Sequence, residues 1–175
     1  ESGLLGIVSN NDDVYIYVTE ADEMGHSIGN NIYHYTWNGN DLLNQQLVNT
    51  LSSESSWHNG GSMTIDLDGQ VYAVIGDQMG GGRIDTKNDF RLLQNYNNGS
   101  FDDSGVIVKV GYKPEIIRPM LDDDPLIHYF AIGIRNSFGL AVDPLTGYIW
   151  DTENGPEDFD EINLVESGFN SGWAI

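Results

Sequence analysis

The chain of 175 residues contains no cysteine. Disulfides and thiolate-bound metals are thereby excluded, although the absence names no compartment. Positive charge is scarce: seven Lys and Arg stand against 27 Asp and Glu, a formal net charge of −20. Nucleic acids and anionic membrane surfaces, which demand the opposite sign, are poor partners for such a chain. Divalent cations and neutral polar molecules remain open to it. No apolar run is long enough for a transmembrane helix, and no signal-peptide pattern occurs. The chain opens mid-pattern at Glu1 without an initiator Met, so any leader is expected to lie upstream. A sustained 3.6-residue apolar period is also missing, whereas glycine reaches 21 residues and Asn and Asp are plentiful. That combination predicts an all-β protein with many turns.

Three segments look like one another: Gly3 to Glu20, Gly61 to Asp77 and Phe138 to Asn154. Each is an apolar strand, a turn rich in Asp, Asn or Gly, a second strand with an aromatic near its start, and a polar exit. Ile7, Ile65 and Val142 hold equivalent places, at intervals of 58 and 77 residues. Repeated β units of this kind signal a propeller, in which each blade supplies one such hairpin. The intervals exceed a usual blade of roughly 40–50 residues, which implies inserted loops. An ordinary β-sandwich with similar hairpins is the competing architecture. Asn31 to Trp37 and Leu42 to Thr50 read as outer strands of the first blade, and Gly105 to Val110 as a later strand. Gly80 to Ser104 reads as a long loop on the functional face, carrying an Asn98-Gly99-Ser100 glycosylation sequon. Pro114 to Pro125 is a connector, and its Asp122-Asp123-Asp124 run reads as a solvated surface.

The last repeat concentrates the residues that could carry chemistry. Arg135 and Asn136 precede its first strand, and Asn154-Gly155-Pro156 follow its second. An antiparallel hairpin brings those ends to one rim of the sheet, where the site is expected. Arg135 offers a rigid donor fork suited to carboxylate, phosphate or quinone oxygens, with a salt bridge to a nearby acid as the plainer reading. His58, in Trp57-His58-Asn59-Gly60-Gly61, could act as a general base, or be a turn histidine of no chemical consequence. The two glycines would admit a ligand close to the backbone. His26, His34 and His128 stand in unremarkable contexts. Glu153, Glu157, Asp158, Asp160 and Glu161 surround the Gly-Pro turn. They suit either a hard-cation site using main-chain carbonyls or a solvated acidic loop.

Taken together, four motifs resemble the soluble quinoprotein glucose/sorbosone dehydrogenase family. They are Trp57 to Gly61 followed by Asp68 to Tyr72 and Gly76-Asp77; Gly133 to Leu140; Glu153 to Pro156 through Asp160 to Leu164; and Gly168 to Trp173. The opening Glu1 to Gly6 is similar to that family's Gly-Leu-Leu-Gly blade. The resemblance runs end to end in the same order. It implies a six-bladed β-propeller with pyrroloquinoline quinone (PQQ) over the central channel, and a calcium ion on the cofactor. It implies that His58 is the base that takes a proton from the sugar's anomeric hydroxyl while hydride passes to the quinone. Arg135 and Asn136 then contact the quinone edge, the Gly155 and Pro156 carbonyls bind the calcium, and Asn154 and Glu1 line the cofactor pocket. Glu161 matches an acidic residue linked to a second calcium in some members. Two departures bear on this: Ser171 stands where the family commonly has Tyr, and Ser137-Phe138 where it has Pro-Gln.

The expectation is therefore one domain over residues 1–175, roughly two and a half blades of a catalytic propeller incomplete at both ends. It would belong to an extracytoplasmic PQQ-dependent aldose dehydrogenase acting on a small sugar, with an unnamed electron acceptor and no membrane insertion. A non-catalytic, calcium-stabilised propeller that binds sugar or protein is the alternative; relatives of that kind lose the His or the Arg-Asn pair, and both stand here.

Overall fold

A computed structural model describes residues 3–53, 57–78, 103–111 and 128–173. Glu1, most of the Gly80 to Ser104 segment with its sequon, and the Pro114 to Pro125 connector lie outside the described residues. Within them every regular element is a strand. β1 (Gly3–Asn10), β2 (Asp13–Ala21), β3 (Ser27–Trp37) and β4 (Leu42–Leu51) form an antiparallel meander in chain order. β5 (Met63–Ile65), β6 (Val71–Ile75), β7 (Val106–Lys109) and β8 (Ala131–Ile132) form a second sheet. β9 (Ser137–Val142), β10 (Ile149–Glu153) and β11 (Glu161–Val165) make a third. β12 (Phe169–Asn170) then leaves the third sheet and pairs in parallel with β8 of the second.

The three repeats are the β1–β2, β5–β6 and β9–β10 hairpins, as their sequences imply. Their turns have local causes. The first is a two-residue Asn11-Asp12 connection with Asn11 at φ 53°, the left-handed geometry that a tight hairpin demands. In the second, Asp66 Oδ1 accepts the N–H groups of Asp68 and Gln70 at 3.0 and 2.9 Å. In the third, Asp143 accepts the Leu145 N–H and the Thr146 hydroxyl at 2.9 and 2.6 Å. An aspartate capping its own turn is thus the device common to the second and third hairpins. The Thr146 hydroxyl and the Leu145 amide hold the Asp143 carboxyl below its usual range.

The second sheet lies between the other two. Every residue of β6 is buried, and alternation sends its side chains to opposite faces. Val71, Ala73 and Ile75 pack with Tyr17, Ile32 and Leu51 of the first sheet. Tyr72 and Val74 pack with Leu140, Ile149 and Val165 of the third. The first strands of the sheets meet almost backbone to backbone. A Cβ placed on Gly6 would lie 1.8 Å from the Gly61 carbonyl oxygen, and one on Gly61 would lie 2.3 Å from the Leu5 Cβ. Ser62 Oγ accepts the Leu140 N–H at 2.9 Å and ties the third sheet to the same line.

The two outer sheets each leave an apolar face open. Ile7, Ile16, Tyr33 and Leu47 stand in register across the first sheet, with Ile7 69 % and Leu47 53 % exposed. Ala141, Trp150 and Leu164 stand in register across the third, beside the exposed Ile162. Apolar faces of this kind drive association. Residues 1–175 expressed alone should self-associate despite their charge of −20, giving a broad or early peak in size-exclusion chromatography. A monodisperse monomer with a cooperative thermal transition would contradict this.

Candidate active site

Three segments run side by side at one end of the second and third sheets. Gly76 N–H donates to the His58 carbonyl at 3.0 Å, and Asp77 N–H to the Arg135 carbonyl at 2.8 Å. His58 adopts φ 53°, a left-handed conformation in which non-glycine residues are uncommon and which often marks a functional position. Its Nδ1 lies 2.6 Å from Asp77 Oδ1, and the two residues are 7 % and 5 % exposed. A carboxylate oxygen only accepts, so Nδ1 carries the proton in this contact, and a neutral imidazole held this way presents its lone pair at Nε2. That is the tautomer a general base requires.

The backbone under His58 rests on buried amides. Asn59 Oδ1 accepts from Asn30 Nδ2 and Gln78 Nε2 at 3.0 and 3.1 Å, and the Asn59 carbonyl accepts the Tyr17 hydroxyl at 2.9 Å. Asn30 in turn accepts the Thr19 hydroxyl at 2.6 Å. Gly60 and Gly61 serve this packing. A Cβ on Gly60 would meet the Val74 carbonyl oxygen at 2.1 Å, so the chain's own packing requires glycine there.

Arg135 and the Gly-Pro turn do share one rim. Arg135 Nη1 donates to the carbonyls of Asn154 and Gly155, both at 2.9 Å, and Asn154 N–H donates to the buried Asn136 carbonyl at 3.0 Å. Among the described residues the salt bridge expected as the plainer role of Arg135 is not made, its partners are carbonyls, and its buried Nε has no partner. The guanidinium carbon lies 5.1 Å from the Trp173 ring centre. Trp173 Nε1 donates to Asp77 Oδ2 at 2.7 Å. Arg135, Asn154, Gly155, Pro156, Glu161 and Trp173 are among the residues that line one cleft of about 260 Å³. A second cleft of about 440 Å³ opens where the first strands converge, lined by Gly6, Ile7, Gly61, Ser137 and Phe138.

Two further acids are buried behind this rim. Glu153 accepts the Arg135 main-chain N–H and the Ser171 hydroxyl, each at 2.5 Å. Burial raises its carboxyl above the usual range, and those two donors work against the rise. Asp151 accepts the Ser137 hydroxyl on Oδ1, while its Oδ2 has no partner among the described residues. Burial pushes Asp151 up to about 6. Glu161 is exposed and pairs in register with Glu153. Among the described residues no group of three His, Asp or Glu side chains is set to hold a metal ion. The roles of Asp77, Trp173, Asp151 and Ser137 are not evident from sequence; for Asp77 the signal was its place as the polar exit of a wholly apolar strand.

Stacked, mainly antiparallel sheets of four, five and three strands among the described residues, with adjoining first strands, define a partial β-propeller. The chain belongs to the glucose/sorbosone dehydrogenase family, whose description matches residues 1–175. It is 30% identical over 125 residues to the aldose sugar dehydrogenase YliI of Escherichia coli (strain K12), covering 67% of this chain and 29% of that protein. It is 29% identical over 194 residues to quinoprotein glucose dehydrogenase B of Acinetobacter calcoaceticus, covering 99% of this chain and 40% of that one. Among solved structures, the PQQ-bound aldose sugar dehydrogenase of Streptomyces coelicolor superposes with a TM-score of 0.69 at 25% identity, over 99% of this chain and 48% of that one. The apo soluble aldose sugar dehydrogenase of Escherichia coli gives 0.72 at 22% identity, over 98% and 49%. The chain thus spans less than half the length of these relatives.

Asp151 makes a testable pH dependence. Its carboxyl is higher in the folded chain than the ordinary value of 3.8. Its contribution is therefore fully present below that value and lost as pH rises through about 6. Asp151→Asn should raise the unfolding temperature of the full-length protein at pH 7, by up to about 3 kcal/mol in stability, and change little at pH 4. Equal effects at both pH values, by calorimetry, would show that the buried charge is not responsible.

Proposed function

We propose that residues 1–175 form part of the single catalytic propeller of a PQQ-dependent dehydrogenase that oxidises aldoses at the anomeric carbon to lactones. The observation that carries this reading is the buried His58–Asp77 pair set beside Arg135. The residues present suit the cofactor. Among the described residues Arg135 Nε is a buried donor without a partner, as a group awaiting acceptor oxygens would be. The carbonyls of Asn154 and Gly155 converge on one cationic group, the disposition a hard cation also requires. Asn136 stands next to Arg135 at the quinone edge, Asn154 beside the cofactor, and Gly155 and Pro156 offer their carbonyls to calcium. Each carbonyl oxygen has two lone pairs, so Gly155 can serve Arg135 and a cation together. Glu161, in the cleft lining, is the candidate for a second calcium.

When bound, PQQ supplies the two-electron acceptor for the hydride leaving the anomeric carbon, and calcium supplies a Lewis acid. The chain's own part is proton handling and charge placement. His58 Nε2 takes the proton of the anomeric hydroxyl, and Asp77 holds the resulting imidazolium through Nδ1. Arg135 stabilises negative charge developing near its guanidinium. The substrate is a small sugar, the electron acceptor is a separate molecule, and the protein works outside the cytoplasm. The His58–Asp77 pair favours this enzyme over a non-catalytic calcium-stabilised propeller, which needs no oriented base.

In the full-length protein reconstituted with PQQ and calcium, His58→Gln should lower turnover on the order of 10²–10⁴-fold. PQQ binding, followed by its absorbance, should survive. Wild-type turnover in that variant would remove His58 from the mechanism. Chelation of calcium should abolish sugar-dependent dye reduction, and calcium should restore it. Glu157→Gln and Asp158→Asn should have much smaller effects, because the proposed ligands are main-chain atoms. Full activity of a rigorously calcium-stripped, magnesium-free protein would end the metal assignment.

A further inference from the structure

We infer that Trp173 is a positioning residue that fixes the His58–Asp77 pair and the Arg135 guanidinium relative to each other; the inference rests on the dehydrogenase reading above. One indole makes both contacts. Its N–H donates to Asp77 Oδ2 at 2.7 Å, on the carboxylate whose other oxygen faces His58 Nδ1 at 2.6 Å. The guanidinium carbon of Arg135 lies 5.1 Å from the ring centre, within the range of cation–π attraction. Indole offers a single donor and an electron-rich face. Phenylalanine lacks the donor, and leucine lacks both.

The ring is held from its own backbone, so it can act as a reference for the two groups. Trp173 N–H donates to the Gly133 carbonyl at 3.1 Å and Ser171 N–H to the Ile132 carbonyl at 3.0 Å, which extends the parallel pairing of β12 with β8. Asn170 Oδ1 accepts the Gly172 N–H at 2.9 Å. Gly133, at φ 71°, makes the approach possible: a Cβ there would lie 2.3 Å from Asn170 Oδ1 and 2.8 Å from Gly172 N. Ser171 Oγ binds Glu153 Oε2, and Glu153 Oε1 takes the Arg135 main-chain N–H. Segment 169–173 therefore grips Arg135 twice, at its backbone through Glu153 and at its side chain through the indole. The carboxylate that sets the tautomer of the base is tied to the same ring. A carboxylate held at both oxygens cannot turn with the imidazole, and Nε2 stays aimed in one direction.

The test uses the full-length protein. Trp173→Phe, which keeps the ring face and deletes the N–H, should lower kcat about 10-fold and leave KM and PQQ affinity within about 2-fold. Trp173→Leu should lower kcat further and weaken PQQ binding about 5-fold. Because the indole acts through Asp77, Trp173→Phe should cost less than about 2-fold in an Asp77→Asn background. Additive losses would overturn the proposal. So would a Trp173→Phe protein without a cooperative unfolding transition, which would mark the ring as structural. An NMR arm needs no turnover: the His58 Nδ1–H resonance of the cofactor-free protein should shift or broaden in Trp173→Phe. An unchanged resonance would overturn the proposal. A wild type that is folded but inactive toward sugars would overturn the dehydrogenase reading, and the imidazole signal would still decide whether Trp173 orients His58.

Discussion

The structure depends on one strand being buried on both faces. β6 contributes Val71, Ala73 and Ile75 to one apolar cluster and Tyr72 and Val74 to the other. A strand with two dry faces cannot tolerate a register slip, because a shift by one residue would exchange the two cores. Its position is therefore fixed by packing on two sides. Gly76 and Asp77 follow directly from it, so the catalytic candidates inherit that rigidity. A carboxylate that must orient a histidine is well placed at the end of such a strand.

Three buried acids among the described residues, in a chain of net charge −20, show how environment separates roles. Asp77 is held by an imidazole and an indole, and Glu153 by a hydroxyl and a main-chain amide. Asp151 holds the Ser137 hydroxyl on one oxygen, and its other oxygen has no partner among the described residues. The first two are tied to groups at the cleft. The third is a cost built into the third sheet, and the Ser137 hydroxyl lessens it. The Asn30–Asn59–Gln78 network solves the same problem with neutral amides, each buried polar group finding partners across the boundary between the first and second sheets.

Much of the architecture was legible because turn chemistry and strand alternation are local. Asp66 and Asp143 announce their turns, and the apolar runs beside them announce their strands. The juxtaposition of Arg135 with Gly155 followed from the hairpin alone, since an antiparallel pair returns to its starting rim. β8 and β12 were not legible: at two residues each they carry no period, and their pairing is set by where the chain returns after a long excursion. Asp77 carried only the signal of its place at the exit of an apolar strand, and nothing local separates a carboxylate that meets a histidine from one that meets water. Gly60 and Gly61 are required by packing and also line the larger of the two clefts described. Sequence registers the need for space at a glycine, but not whether protein or ligand fills it.

The site is assembled from contacts of very different range, and this bears on the order in which the chain folds. His58 and Asp77 are 19 residues apart, and Arg135 and Gly155 are 20 apart. Each pair can close once its own hairpin forms. The Trp173–Asp77 hydrogen bond spans 96 residues and waits for the third sheet to dock on the second. Loop-closure entropy makes such a contact late. The Asp77 N–H to the Arg135 carbonyl already joins the two halves of the site, and the Trp173 contact, the longest in sequence, locks that junction from a third segment.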